Sequence, residues 1–178
     1  MTLVLPTDGV FTRSAFERLQ KPPDSWAWEL RDGRLELTYM PVSFWHSRIM
    51  LLLVSYWLRE GHEAATEQYV ADSGFAEGGT GRNNRVADGV AFAEGHRPHS
   101  SDSTHPASVI HAVMEAVSSG SEERDSIDKL KTYAALGIPH YWIVREIGPD
   151  IDGLISMYEL RHGEYELVRT IAASELTR

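Results

Sequence analysis

Cysteine is absent from the chain. That excludes disulfides and thiolate-bound zinc and fits a reducing compartment. Long apolar runs are absent too. The longest, IMLLLVSYWL from Ile49 to Leu58, is broken by Ser55 and followed by Arg59 and Glu60, well short of the ~18 apolar residues of a membrane span. The opening MTLVLPTDGVFTRSAF has neither the basic start nor the apolar centre of a secretion signal. A soluble cytoplasmic protein with no membrane partner is expected. Positive charge is scarce: 17 Lys and Arg stand against 26 Asp and Glu, a formal net charge of -9. This argues against a generally basic surface for nucleic acid. It leaves room for a local basic groove, or for carboxylates that a metal ion neutralises. Repeats and low-complexity tracts are also missing.

What is present suits one domain over residues 1–178, with 42% hydrophobic residues to build a core. Residues 1–23 read as an N-terminal arm with a helical turn or two, TRSAFERLQ, which Thr12 can cap. WAWELRDGRLELTYM reads as a hairpin turning at Asp32-Gly33, with Leu35, Leu37 and Tyr39 on one face. Ser43 to His62 is the strongest helix, bounded by Ser43 and Gly61 and apolar around much of its circumference. Strands are expected near Thr66–Ala71, Arg85–Glu94 and Val109–Ser118, with a flexible loop at Gly78–Asn84 and a polar loop at Gly95–Pro106. A helix from about Glu122 to Leu136 stops at Gly137 and Pro139. HYWIV is a further strand, and residues 151–178 form a C-terminal hairpin and tail. This order predicts an α/β or α+β fold, a central mixed β-sheet flanked by α-helices.

Two of the core strands carry an acid in an apolar row. In VIHAVMEAVSS, Glu115 shares a face with Val113 and Val117; in RVADGVAF, Asp88 shares one with Val86, Val90 and Phe92. A buried carboxylate is costly unless something compensates it. On adjacent strands the two acids can converge on one cation, and Mg²⁺ is commonly held by one or two carboxylates with water and phosphate completing its shell. Each acid alone also fits a strand end that reaches solvent. In the following helix Asp125, Lys129 and Tyr133 form an i, i+4, i+8 ridge, while Ile127, Leu130 and Ala134 form the stripe expected to face the sheet. Lys129 and Lys131 flank that stripe, and helical geometry does not choose between them. His96, His99 and His105 crowd one loop, where zinc competes with an ordinary solvated loop. His46 can approach the acids from its helix or simply pack beside Trp45, and His111 is placed at the sheet margin.

With these residues in view, the chain resembles the Uma-two family of restriction-endonuclease-type proteins, within the PD-(D/E)XK nuclease superfamily. The likeness runs from about Phe11 to Val168. WELRDGRLELTYMP is similar to the family's E-L-x-D-G hairpin and its proline, and RVADGVAF to its R-P-D-V-A-V strand. The most specific segment is VMEAVSSGSEERDSIDKLKTYAALGIPHYWIV, with family spacing at Glu115, Ser118, Asp125, Lys129, Tyr133, Gly137, Pro139, Tyr141 and Trp142. The resemblance implies a restriction-endonuclease-like core. It implies Asp88 and Glu115 as metal ligands, joined by the backbone carbonyl of Ala116, with Glu29 as an additional acid. Val117 stands where the superfamily's E-x-K lysine usually lies, and the resemblance points to Lys129 instead of Lys131. Ala87, Arg145 and Gly120 are further departures, none at a proposed ligand.

The expected function is therefore hydrolysis of phosphodiester bonds, in DNA before RNA, by an endonuclease using Mg²⁺ or Mn²⁺. Asp88, Glu115 and Lys129 would be catalytic, with Glu29, His46, Asp125 and Tyr133 in support. The alternative is a non-catalytic nucleic-acid- or protein-binding module on the same fold, favoured by the acidic charge. Analogy with related folds adds a homodimer, pairing through the C-terminal hairpin.

Overall fold

The structure, a computed structural model, describes residues 2–5, 11–40, 42–117, 123–147 and 152–177, with the side chains of 2–5, 123–127 and 177 outside that description. The chain opens with β1 (Thr2–Leu5), β2 (Phe11–Thr12) and α1 (Arg13–Glu17), then the hairpin β3 (Trp26–Arg31) and β4 (Arg34–Tyr39). Helix α2 (Phe44–Arg59) leads to β5 (Ala64–Ala71), the single turn α3 (Ser73–Ala76), β6 (Thr80–Gly81) and β7 (Asn84–Phe92). After β8 (Thr104–Pro106) come β9 (Ile110–Val117), α4 (Glu123–Ala135), β10 (His140–Glu146), β11 (Gly153–Arg161) and β12 (Glu164–Ala172). The fold is α+β, built on a ten-stranded sheet ordered β1-β4-β3-β7-β9-β10-β11-β12, with β5 also paired to β7 and β8 paired to β5. The β9–β10 and β5–β8 pairs are parallel and the other pairs antiparallel, so the sheet is mixed as expected.

Local signals set the boundaries. Asp32 (φ 48°) and Gly33 (φ 79°) both take left-handed conformations, the primed turn whose twist suits a two-residue hairpin. Thr12 caps α1 through Ala15 N–H at 3.1 Å, and Ser43 caps α2 through His46 N–H at 3.1 Å. Gly137 follows α4 at φ 77°, where only a residue without Cβ sits without strain.

Two apolar layers cover the sheet. On one face, Trp45, Ile49, Met50, Leu53 and Trp57 of α2 meet Ala91, Ala112, Met114, Trp142, Val144 and Ile155. On the other, Tyr133 of α4 packs with Val90, Phe92, Val113, Tyr141 and Ile143. Strand β10 shows why: Trp142 and Val144 point to α2, Tyr141 and Ile143 to α4, the alternation of a strand buried on both faces.

Several expectations are corrected. The N-terminal arm contributes a strand, with Leu3 opposite Leu37, because the apolar TLVL segment can extend the sheet beside β4. The Gly78–Asn84 loop is tied down: Asp72 Oδ2 accepts both Arg82 N–H and Asn83 N–H at 2.6 Å. The Gly95–Pro106 loop ends in β8, which pairs with β5. Helix α2 is not apolar-in all round, since Phe44, Leu51 and Leu58 are exposed. Among the described side chains of α4, Lys129 and Tyr133 are the buried ones, while Leu130 and Ala134 are half-buried. Lys129 and Tyr133 turn to the sheet and meet Glu115 there.

Candidate active site

Antiparallel pairing of β7 with β9 reaches Gly89 opposite Met114 and goes no further. Asp88 is the next residue along β7, and its carboxylate enters the gap where the strands part. Its Oδ2 accepts the Ala116 N–H at 2.8 Å. Ala87 and Val90 both belong to the α4-side core, so strict two-residue alternation breaks between them, and the expected row of Asp88 with Val86, Val90 and Phe92 is not kept. Opposite Asp88, Glu67 of β5 drops out of the ladder with φ 54°.

Glu115 lies on β9 in register with Ile143. Lys129 Nζ donates to Glu115 Oε2 at 2.7 Å and to the Val86 carbonyl at 3.1 Å. One turn along α4, the Tyr133 hydroxyl donates to Glu115 Oε1 at 3.3 Å. Glu115 is 4% exposed and Lys129 6%. The acid in the apolar strand is thus compensated by a lysine from the next helix. Burial, then the Glu115 charge, pushes the Tyr133 hydroxyl well above the ordinary tyrosine value, so it is a fixed donor and not a phenolate. Lys131 is exposed, so the structure separates the two lysines that helical spacing left open. Asp125 lies on α4, but its side chain is outside the described residues.

His46, near the start of α2, approaches the other acid, with Nε2 3.3 Å from Asp88 Oδ2. Burial alone would lower its pKa, yet the hydrogen bond and charge of Asp88, with Glu67 beyond, raise it above 6.5. Burial alone would raise Asp88; His46, Lys129 and the Ala116 amide more than offset this and hold it below the ordinary carboxylate value. His46 Nδ1 is buried without a hydrogen-bond partner.

Behind these groups runs a chain of charges, buried at Glu29, Arg85 and Glu36 and reaching the surface at Arg31 and Asp128. Glu29, 1% exposed, accepts from Val86 N–H at 2.9 Å and from the Thr38 hydroxyl at 2.9 Å. Arg85 Nε lies 3.3 Å from Glu29 Oε1, and its Nη1 3.6 Å from Glu36 Oε2. Arg31 then bridges Glu36 at 2.7 Å and Asp128 at 2.8 Å. Burial raises the Glu36 pKa, although Arg31 and Arg85 counter it. Both backbone polar groups of Val86 are therefore held, N–H by Glu29 and C=O by Lys129, two residues before Asp88. Glu29 supports the strand and does not touch Asp88 or Glu115 through any of these bonds.

Arg31, Glu36, Glu67 and Arg85 were not singled out from sequence. Glu36 had a usable signal: a two-residue turn at Asp32-Gly33 puts residue 29 opposite 36, as observed. Facing carboxylates repel and call for a cation between them. Arg85 of β7 supplies that cation, yet nothing local shows β7 meeting β3, which happens at Leu30–Asn84. The positive φ of Glu67 has no sequence signature.

Of the loop histidines, His105 pairs with Gln68 at 3.0 Å and His99 with Ser101 at 2.8 Å, while His96 and His105 both pack on Phe92. His111 stacks on His62 with ring centroids 4.4 Å apart, both against Trp57. Among the described residues, no three His, Asp or Glu side chains are grouped to hold a metal ion. Asp88 and Glu115 instead offer carboxylate oxygens on adjoining strands. That hard-oxygen set fits Mg²⁺ or Mn²⁺, which need only one or two protein carboxylates, and does not fit a closed zinc cage.

The fold belongs to a class already seen in a solved structure, the crystal structure of "a putative nuclease belonging to DUF820" from Anabaena variabilis, at TM-score 0.60, 14% identity, and 91% and 83% coverage of this chain and that one. Residues 13–177 match the Uma2 family, described as "Putative restriction endonuclease", and the chain belongs to that family. Weaker likenesses are to a DrdV–DNA complex (TM-score 0.39, 17% identity, 72% of this chain and 10% of that one) and to Escherichia coli MS115-1 NucC in its cAAA-bound form (TM-score 0.31, 18% identity, 54% and 50%). No curated protein matches. No helix among the described residues is long and apolar enough to cross a membrane.

Proposed function

We propose that the chain is a divalent-metal-dependent endonuclease that hydrolyses phosphodiester bonds in DNA. The observation that supports this reading is that Lys129 of α4 lies 2.7 Å from Glu115 of β9, and the amide of the next residue, Ala116, donates to Asp88 of β7 at 2.8 Å. The restriction-endonuclease description of the family supports DNA as substrate.

In this reading Asp88, Glu115 and the Ala116 carbonyl would hold Mg²⁺ or Mn²⁺, which would supply Lewis acidity for phosphodiester hydrolysis. The Ala116 amide and His46 orient Asp88. Tyr133 fixes one Glu115 oxygen and closes the apolar side to water. Lys129 places a positive charge where negative charge develops at phosphorus, an electrostatic role that needs no reorganisation because Val86 and Glu115 already hold the ammonium. Glu29 and Arg85 brace the strand beneath Asp88. Nicking of supercoiled plasmid in Mn²⁺, abolished by chelation and by Asp88→Ala, is the expected result. Equal cleavage by wild type and Asp88→Ala would end the proposal.

One observation favours a second reading. Glu115 already has a lysine and a tyrosine as partners, as a purely structural acid would. A non-catalytic binding module would form a nucleic-acid complex that survives Glu115→Ala, with no cleavage by wild type. The proposal also includes a single domain over residues 1–178, a cytoplasmic site of action and a homodimer. Strand β12 ends the sheet with Leu167 and Val168 exposed. Sedimentation as a 20.0 kDa monomer at working concentration would remove the dimer.

A further inference from the structure

Beside the buried charges lies an open groove of about 540 Å³, between the β3–β4 turn, the residues before β7 and the outer side of α4. Four of its lining residues are cations, Arg31, Arg34, Arg82 and Lys131; two are acids, Asp32 and Asp128. In a chain of net charge -9, that local excess is against the grain. Asp128 is engaged by Arg31 at 2.8 Å, and Arg82 Nη2 anchors on the Asp32 carbonyl at 2.8 Å. Arg34 and Lys131 are exposed and make no ion pair among the described residues.

The groove is joined to the candidate active site by two elements. On α4, Lys129 turns in to Glu115 while Asp128 and Lys131 look into the groove. Along β7, the path from Asn83 to Asp88 is five residues, roughly 17 Å of extended strand. Consecutive phosphates of one DNA strand advance about 3.4 Å along the axis, so the groove stands on the order of five nucleotides from Asp88. No aromatic side chain lines it, so it offers no platform for stacking unpaired bases.

Building on the nuclease reading, we propose that this groove grips the phosphate backbone of duplex DNA about half a helical turn from the bond addressed by Asp88 and Glu115. The contact is to phosphate and does not depend on base sequence.

The test is fluorescence anisotropy on the full chain with a labelled duplex three helical turns long, in EDTA across a salt series. Metal and cleavage are thereby kept out of the readout. The Arg34→Glu/Lys131→Glu variant should bind at least about tenfold more weakly than wild type, and Arg34→Ala/Lys131→Ala should reduce the slope of log K against log salt by about 2. A control with the same change in net charge, Arg97→Glu/Arg161→Glu, alters exposed residues outside the groove and should retain most of the affinity. Unchanged urea midpoints in all variants confirm that the fold is intact. Equal losses in groove and control variants would overturn the proposal, as would a wild type that binds no duplex or prefers the single strand. Plasmid nicking separates the two ideas. A groove-dependent duplex complex with no cleavage sinks the nuclease reading alone; cleavage unaffected by the groove variants sinks the groove alone.

Discussion

Replacing Lys129 by methionine should be among the most damaging single changes to stability. The Lys129–Glu115 pair is buried at 8% and 6% side-chain exposure, with its charges 2.7 Å apart. At an effective dielectric of about 20, the attraction is of the order of 5 kcal/mol. Desolvating the two ions costs several kcal/mol each, so the pair as a whole contributes little net stability. Removing one partner is different. Lys129→Met keeps the cost of burying Glu115 and removes the lysine that offsets it, and the Val86 carbonyl loses a donor. The expected loss is about 3–5 kcal/mol, a large part of a typical ~5–15 kcal/mol total. With a urea slope near 2.5 kcal/mol/M, the midpoint should fall by about 1.5 M at pH 7 in EDTA. Glu115→Leu should cost a comparable amount. The double variant should lie within about 2 kcal/mol of wild type, because both desolvation penalties vanish while neutral groups such as the Tyr133 hydroxyl and the Val86 carbonyl lose partners. The double-mutant cycle should therefore give a coupling of about 3 kcal/mol or more. A Lys129→Met loss under about 1 kcal/mol, or additive single losses, would refute the assignment of Glu115's compensation to this lysine.

Further outcomes follow from other parts of the molecule. In Mn²⁺, Asp88→Asn and Glu115→Gln should each slow plasmid nicking by about 100-fold or more, since each loses charge stabilisation worth several kcal/mol; loss in one variant only would break the shared-site reading. Burial and the neighbouring His140 and His62 lower the His111 pKa to about 4. Between the unfolded value near 6.5 and about 4 the unfolded chain holds more protons, so stability should fall as pH drops through that window. Partial exposure screens the effect to about 1–2 kcal/mol, and His111→Gln should flatten the urea midpoint between pH 7.5 and 5. Gly137→Ala meets no atom within 4 Å, so its expected loss, about 1 kcal/mol by calorimetry, is purely the strain of φ 77°. Gly153→Ala, by contrast, would press a Cβ to 2.6 Å from Val144 Cγ1 and should cost about 1–3 kcal/mol through overpacking.

Local sequence determined the pieces. Asp32-Gly33 set the hairpin turn and hence the opposition of Glu29 and Glu36; Ser43 and Gly61 bounded α2; Gly137 and Pro139 stopped α4. The apolar rows flagged Asp88 and Glu115 as acids needing compensation, because the cost of burying a carboxylate is a local property of the strand. The motif spacing, through its family likeness, pointed to Lys129. Only the tertiary structure decided what compensates each acid. Lys129 over Lys131 depends on how α4 is rotated on the sheet, which turns Lys129 and Tyr133 toward Glu115 and leaves Lys131 exposed. His46 meets Asp88 because α2 crosses the end of the β7–β9 pairing, a contact between residues 42 positions apart. Arg85 neutralises Glu29 and Glu36 only where β7 passes the hairpin. Electrostatic partners of a buried charge are chosen by proximity in space, and a one-dimensional pattern states which charges need partners without stating which residues the fold will bring to them.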